Sequence, residues 1–269
     1  MRIEKNDKVR PKKFLGQHFL HDQRMAGKIV DALLPALGTQ QVLEIGPGMG
    51  VLTKFLISRD QTDLKLVEID RDAVQYLKTH YPVVGPAIIE GDFLALDLAR
   101  IFVGKFSIIG NFPYNISSQI FFKVLAHKDQ VEQVVCMLQK EVADRIAAPH
   151  GSKTYGILSV LLQAYFNIEM LFKVSPGVFT PPPKVMSAVI RLKRNATETL
   201  ACDEKLFVQV VKQGFNNRRK TLRNALKNLN LTAAVSSLAL LDKRAEQLPV
   251  ETFIYLTKVI EESRGTAAD

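Results

Sequence analysis

The sequence predicts an α/β protein, a doubly wound and mostly parallel sheet followed by a small all-helical domain. Three observations predict it. The segment 42–45 reads as a buried strand and ends in Gly46-Pro47-Gly48-Met49-Gly50, the composition of a strand that turns sharply into a helix. Strand-like and helix-like segments then alternate to about residue 139, as in successive βαβ units. Beyond the polar stretch 194–199 only helical spacing remains, in Leu206, Val210 and Val211, then Leu222, Ala225, Leu226 and Leu229, then Phe253, Leu256 and Ile260. The expected division is therefore residues 1–197 for the sheet domain, with its basic arm, and 198–269 for the helical one.

Taken in order, residues 1 to about 40 read as a basic arm (Arg2, Lys5, Lys8, Arg10, Lys12, Lys13) and a helix over 24–37 that caps one side of the sheet. A helix over 51–58 follows the glycine loop. Further strands are expected at 64–69, 87–90 and 106–110, and the apolar run 134–138 carries Cys136 as a small core residue. After an apolar helix at 157–165, strands at 168–174 and 185–193 flank a proline-rich turn and close the sheet as a late hairpin.

The strand ends carry the chemistry. The glycine loop departs from a dinucleotide fingerprint, since position 51 is Val and the third glycine comes one residue early, at Gly50; Pro47 also removes an amide. Gly46 and Gly48 thus suit a ligand that needs close backbone approach without a strong phosphate cradle, such as S-adenosylmethionine. A nicotinamide dehydrogenase is disfavoured for the same reason. Glu68, about 20 residues beyond the loop, is placed to grip two ribose hydroxyls, with Asp70 a close competitor. Asp92 and Phe93 end the next strand, where the carboxylate can accept from an adenine amino group and the ring can lie against the base. Open α/β sheets bind ligands at these carboxyl ends.

Asn111-Phe112-Pro113-Tyr114 follows the strand at 106–110. The Asn111 oxygen and a carbonyl near Phe112 or Pro113 can accept both hydrogens of an aromatic amine, while the Tyr114 ring stacks on the base that carries it. That combination points to chemistry on adenine or cytosine. A strand-end turn with a buried tyrosine is the competing reading. Phe179 precedes Thr180 and three prolines, which hold an aromatic ring at a fixed angle, either for stacking or within a rigid buried loop.

Composition narrows the partners. With 269 residues, 47% of them hydrophobic, the chain can bury a full α/β core. Its net charge of +9 and pI near 9.5 favour a polyanionic partner. No apolar run is long enough to span a bilayer and the amino terminus lacks a secretory stretch, so a soluble, cytoplasmic protein is expected. Cys136 and Cys202 stand apart in sequence, and no metal spacing occurs.

With the loop at Gly46, Glu68, Asp92 and the segment 111–114 in this order, the chain resembles the adenine-N6 dimethyltransferases of ribosomal RNA. Gly16-Gln17-His18-Phe19-Leu20, Asn115-Ile116-Ser117, Leu138-Gln139-Lys140-Glu141-Val142, Phe179-Thr180-Pro181-Pro182-Pro183-Lys184-Val185 and Phe215-Asn216-Asn217-Arg218-Arg219-Lys220-Thr221-Leu222-Arg223 are similar to its small-subunit branch. His18 stands where many relatives carry Asn. The resemblance spans about residues 10 to 260 and implies a Rossmann-like S-adenosylmethionine-dependent methyltransferase sheet. It implies cofactor contacts at His18, Leu20, Gly46, Gly48, Glu68, Asp92, Phe93 and Asn111, and a catalytic set of Asn111, Phe112, Pro113, Tyr114 and Phe179, with Phe179 facing Tyr114 across the target adenine. The implied substrate is two adjacent adenosines in a hairpin loop near the 3′ end of small-subunit rRNA, on 30S particles, methylated by a monomer. Large-subunit rRNA methylation and a non-enzymatic assembly or transcription factor on the same fold are the alternatives.

Arg218, Arg219, Lys220 and Arg223 form a basic cluster opening a helix after Asn217. With the amino-terminal arm it makes a second positive region, the pattern of phosphate contacts to RNA, although a charge run on a helix is also an ordinary solvated face.

Overall fold

The computed structural model describes residues 9–35, 40–59 and 61–265. Arg2, Lys5 and Lys8 of the basic arm lie outside these residues, as do residues 36 and 37 at the end of the expected first helix. The elements run β1 (Phe19–Leu20), α1 (Gln23–Asp31), β2 (Gln40–Ile45), α2 (Thr53–Ile57), β3 (Thr62–Glu68), α3 (Arg71–His80), β4 (Ile88–Glu90), β5 (Phe106–Asn111), α4 (Ser117–Ala126) and β6 (Val131–Gln139). They continue with α5 (Lys140–Ala147), α6 (Ile157–Gln163), β7 (Phe166–Val174), β8 (Phe179–Thr180), β9 (Ser187–Arg194), α7 (Glu204–Asn216), α8 (Leu222–Ala225), α9 (Ala233–Ser236) and α10 (Val250–Gly265).

Seven strands form one sheet in the order β4-β3-β2-β5-β6-β9-β7. The pairs β3–β4, β2–β3, β2–β5 and β5–β6 are parallel, and β9 runs antiparallel to β6 from Gln133↔Lys193 to Gln139↔Ser187. The chain winds outward from β2 through β3 to β4, then returns to β5 on the other side of β2. Neighbouring carboxyl ends diverge there and open a crevice. Both faces of the central strands are covered: Leu43, Ile108, Ile109 and Val134 through Leu138 are all buried, as a parallel sheet requires. Burial also drives the Cys136 thiol far above its ordinary value.

Helix α1 starts where Asp22 accepts from the Met25 amide at 3.0 Å. It stops at Asp31, well short of the expected residue 37, because Pro35 disfavours helical geometry in the residue before it. Its buried face of Ala26, Ile29 and Val30 joins Val135 and Met137 in one apolar cluster.

The chain divides into two compact units, one running up to Ala143 and including Ile168–Arg194, the other comprising Asp144–Asn167 and the residues from Asn195 onward. The segment 144–167 therefore departs from the expected division. It carries α6, whose Leu158, Leu161 and Leu162 are buried and which packs on α7 and α10. Edge-to-face packing of Tyr155 on Phe215, at 5.9 Å, and stacking of Phe215 with Phe253, also at 5.9 Å, continue the same core across the helical unit.

Candidate active site

A cavity opens at the carboxyl ends of β2, β3, β4 and β5, bounded by the glycine loop, Glu68, Asp92, Phe93, residues 111–116 and the segment 15–19. Gly46 and Gly48 have φ of +64° and +55°, a left-handed conformation that favours glycine. A side chain at Gly48 would also meet the Phe19 ring at 2.9 Å, whereas the position a side chain would take at Gly46 is open space. The loop thus exposes backbone to the cavity where a ligand can approach closely.

Two buried carboxyl groups hold this loop. Glu44, only 1% exposed, accepts from the Thr53 hydroxyl at 2.7 Å and so ties the strand before the loop to the helix after it. Burial pushes its pKa up to about 8. Glu68 accepts from the Gly48 amide at 3.0 Å and from the Asp70 amide at 2.9 Å; burial raises it as well, against the pull of those amides. Glu68 therefore lines the cavity in a fixed orientation.

Asp70, its competitor, is turned away. Its side chain is fully buried and takes the Lys12 ammonium at 2.5 Å, the Gln17 amide at 3.0 Å and the Asp72 backbone amide at 3.0 Å. Burial alone would raise its pKa, but these partners outweigh burial and hold it below the usual range. The arm residue Lys12 is therefore committed to an ion pair, with Asp72 also at 2.8 Å. Nothing in local sequence signals that pairing, which bridges residues far apart in the chain.

Asp92 and Phe93 sit together at the end of β4. The Asp92 carboxylate accepts from the Leu94 amide at 2.8 Å and remains exposed, while Phe93 is buried to 3%. Lys123 of α4 braces this corner: it donates to the carbonyls of Leu94, at 2.9 Å, and Leu96, and its ammonium stands 5.4 Å from the Phe93 ring centre. Sequence reading missed Lys123, which lies in no motif.

At the end of β5, the Asn111 side-chain nitrogen donates to the His18 carbonyl at 2.8 Å. That bond leaves the amide oxygen as the remaining polar atom of the side chain at the cavity. His18 is itself fixed, its Nδ1 donating to the Pro181 carbonyl at 2.8 Å. Phe112 is a core residue, 1% exposed and edge-on to Phe121 at 5.9 Å, so its contribution to the site is its backbone. The Pro113 carbonyl accepts from the Ile116 amide at 3.2 Å. Among the described residues the Phe112 carbonyl has no donor. Tyr114 lines the cavity with its hydroxyl 2.5 Å from Ser187 Oγ and its ring 5.2 Å from the His18 ring.

Two expectations need correction. Phe179 does not face Tyr114 across the cavity: β8 pairs with β1 so that Phe179 stands opposite Leu20, and both side chains, 2% and 4% exposed, join the apolar cluster with Ile109, Val135 and Val189. The Leu20 side chain packs in that cluster, directly after His18 and Phe19 of the cavity wall. The basic cluster falls between two helices: α7 ends at Asn216, residues 217–219 form a turn, and only Arg223 lies within a helix, the short α8. Within the cluster, Arg218 donates to the carbonyls of Lys153 and Tyr155, and Arg223 holds Asp242 at 2.7 Å and the carbonyls of Ser236 and Leu238. Arg219 and Lys220 are exposed.

The profile of a family described as ribosomal RNA adenine dimethylase matches residues 8–262. A protein of Cytophaga hutchinsonii named ribosomal RNA small subunit methyltransferase A is 56% identical over 254 residues, covering 94% of this chain and 98% of its own. A protein of the same name from Bacteroides thetaiotaomicron is 57% identical over 263 residues, covering 96% and 97%. Among solved structures, a dimethyladenosine transferase from Plasmodium falciparum superposes with a TM-score of 0.74 at 25% identity, covering 89% of this chain and 96% of that one. The 23S rRNA methyltransferase ErmE follows at 0.66 and 25%, covering 89% and 99%. Matched along nearly its whole length, and carrying the glycine loop, the acidic strand ends and the Asn111–Tyr114 corner in one cavity, the chain belongs to the ribosomal RNA adenine dimethylase family.

Proposed function

We propose that the protein dimethylates N6 of two adjacent adenosines of small-subunit ribosomal RNA with S-adenosylmethionine as methyl donor, acting as a cytoplasmic monomer on 30S particles during ribosome biogenesis, at a hairpin loop near the 3′ end of the RNA. The observation that carries this reading is the fixed amide of Asn111, whose oxygen is presented to the cavity beside the glycine loop. Identity above 55% to two proteins named for small-subunit methylation, against 25% to a 23S methyltransferase, favours the small subunit over the large. Among the described residues no helix is long and apolar enough to cross a membrane.

The residues fit the cofactor. Gly46 leaves open space for close backbone approach, the immobilised Glu68 carboxylate suits two ribose hydroxyls, and Asp92 with Phe93 offers an acceptor and a ring face to an adenine. The cofactor supplies an electrophilic methyl group on a sulfonium. Adenine N6 is a weak nucleophile because its lone pair is delocalised into the ring. Asn111 Oδ1 and the Phe112 carbonyl accept its two hydrogens, draw the nitrogen towards a tetrahedral shape and free the lone pair for in-line attack. Tyr114 offers a stacking face to the same base. The methylated nitrogen is acidic and releases its proton to water, so catalysis rests on positioning and electrostatics. A base held this way must leave its helical stack, which suits a loop substrate.

Labelled-methyl transfer to unmethylated 30S particles, with 50S particles and free rRNA alongside, tests the proposal. Dimethyladenosine confined to the 30S reaction supports it. Label on the 50S particle, or on none, overturns it.

A further inference from the structure

Glu44 is a buried carboxyl that methyl transfer as described above leaves unused. It stands near the end of β2, two residues before the glycine loop, and is only 1% exposed. Its register partners across the sheet, Leu66 on β3 and Ile109 on β5, are buried and apolar. Thr53, buried at the start of α2, is its donor, with the hydroxyl at 2.7 Å. The ionisable groups that face it are themselves acids, Glu68 on β3 and the Tyr81 phenol after α3. Lys54, next to Thr53 in the chain, reaches Gln23 instead. Among the described residues no cation pairs with Glu44, and a buried carboxyl without a compensating charge favours its protonated form.

Glu68 has a different set of partners. The Gly48 and Asp70 amides both donate to it, and such bonds favour a charged carboxylate. Of the two acids Glu44 is therefore the one that keeps a proton; burial first, and then the nearby Glu68, push its pKa up to about 8. There a modest change in nearby charge alters its protonation. Ile45, Gly46 and Gly48, just beyond Glu44 in the chain, line the cavity. A positive charge in the cavity acts on Glu44 across this loop, through a water-poor interior that screens it weakly. Methyl donor and spent product differ in that charge, since S-adenosylmethionine carries a sulfonium and S-adenosylhomocysteine a neutral thioether.

We infer that Glu44 is a proton-linked selector between cofactor and product: its carboxyl releases a proton to solvent when S-adenosylmethionine fills the cavity and recovers one when the thioether product takes its place. The inference rests on the reading above that S-adenosylmethionine is the methyl donor. One O–H bond of Glu44 breaks or forms, and no other bond changes. Cofactor is then favoured over product more strongly as pH rises, because the ionised carboxylate attracts the sulfonium and gains nothing from the thioether. Asp70, already matched by Lys12, adds little to this difference.

Isothermal titration calorimetry on the full-length protein tests this in two buffers of different ionisation enthalpy, phosphate and Tris, between about pH 6.5 and pH 8.5. The change of heat with buffer counts the protons released. A cofactor preference of about tenfold corresponds to release of about half a proton near pH 7.5, less towards either end of the range. The α-amino group of the ligand can titrate here as well, so the part that counts is the part lost in Glu44→Gln. That variant should release about half a proton fewer with S-adenosylmethionine, match wild type with S-adenosylhomocysteine, and lose the roughly tenfold preference at the upper end of the range. Thr53→Val removes a donor that favours the ionised form and should move the maximum of proton release to higher pH, so it decides the matter if Glu44→Gln does not fold. Equal proton counts in wild type and folded Glu44→Gln, or an unmoved maximum in Thr53→Val, overturn the selector. A wild-type protein that binds neither ligand overturns the proposed methyl donor, whereas one that binds S-adenosylmethionine with a proton count independent of Glu44 overturns the selector alone.

Discussion

The Asn111 side-chain nitrogen and the His18 carbonyl, 2.8 Å apart, fix which end of the Asn111 amide faces the cavity. A free asparagine can present either a donor or an acceptor; this one presents its acceptor. Asn111→Ala should lower the single-turnover methylation rate by about 100-fold or more, the loss typical of one preorganised polar group, while calorimetric binding of S-adenosylmethionine stays close to wild type. Asn111→Asp should fare no better, because one carboxylate oxygen would face the His18 carbonyl oxygen. Near-normal dimethyladenosine formation by either variant would remove the amine-holding role.

Glu68 should respond to pH as well as to mutation. Its pKa is raised by burial, so the carboxylate takes up its proton above the usual range, and cofactor affinity should weaken as pH falls through that point. Glu68→Ala should cost about 1.5–3 kcal/mol of cofactor affinity, with most of the pH dependence gone. Calorimetry across pH 5 to pH 8 gives both numbers. Affinity unchanged in a folded variant would take Glu68 out of the cofactor site.

Glu44 gives a stability prediction with a definite sign. Its folded pKa of about 8 lies above the ordinary carboxylate value of 4.5. Between those two values the unfolded chain has lost the proton that the folded one keeps, so stability falls as pH rises, by up to about 1.4 kcal/mol for each pH unit crossed. Above the folded pKa the loss levels off. Glu44→Gln cannot ionise and retains a partner for Thr53, so its stability relative to wild type should grow from pH 5 to pH 8. Denaturant midpoints at both pH values check it; a constant difference would mean that Glu44 is ionised in the fold.

The basic turn should divide into two behaviours. Arg219→Ala with Lys220→Ala removes exposed charges and should flatten the salt dependence of 30S binding, by up to about 0.7 to 0.9 for each phosphate released, with the melting temperature unchanged. Arg218→Ala and Arg223→Ala strip donors from buried or half-buried carbonyls and should lower the melting temperature. Equal thermal stability of all three variants would mean that the carbonyl hydrogen bonds contribute nothing.

The sheet and the cavity were legible because they rest on local signals: a glycine loop after an apolar run, an acid near each of two strand ends, and an amide-proline-aromatic corner after β5. Each lies at a strand terminus that the parallel topology gathers at one edge. What stayed hidden depends on pairings between distant residues. Phe179 before its prolines reads equally well as a stacking ring or a core ring, and only the pairing of Phe179 with Leu20 decides for the core. Arg218 and Arg223 read as surface charge because guanidinium donors to backbone carbonyls leave no trace in sequence. Lys12 belongs to the basic arm by composition and to Asp70 by geometry. The early end of α1 was written in Pro35, and there apolar periodicity misleads.

The short ribbon of β1 and β8 joins two parts of the site that the chain order keeps apart. Leu20 and Phe179 are register partners, His18 reaches the Pro181 carbonyl, and the His18 carbonyl orients Asn111. Any shift of the proline loop towards the cavity drags the segment carrying His18 with it, and so changes the seat of the Asn111 amide. With cofactor and RNA bound as proposed, the two would not be independent guests. Saturation with one should alter the affinity for the other, and thermodynamic reciprocity makes the two factors equal, so cutting the ribbon's register would uncouple them while leaving each able to bind alone.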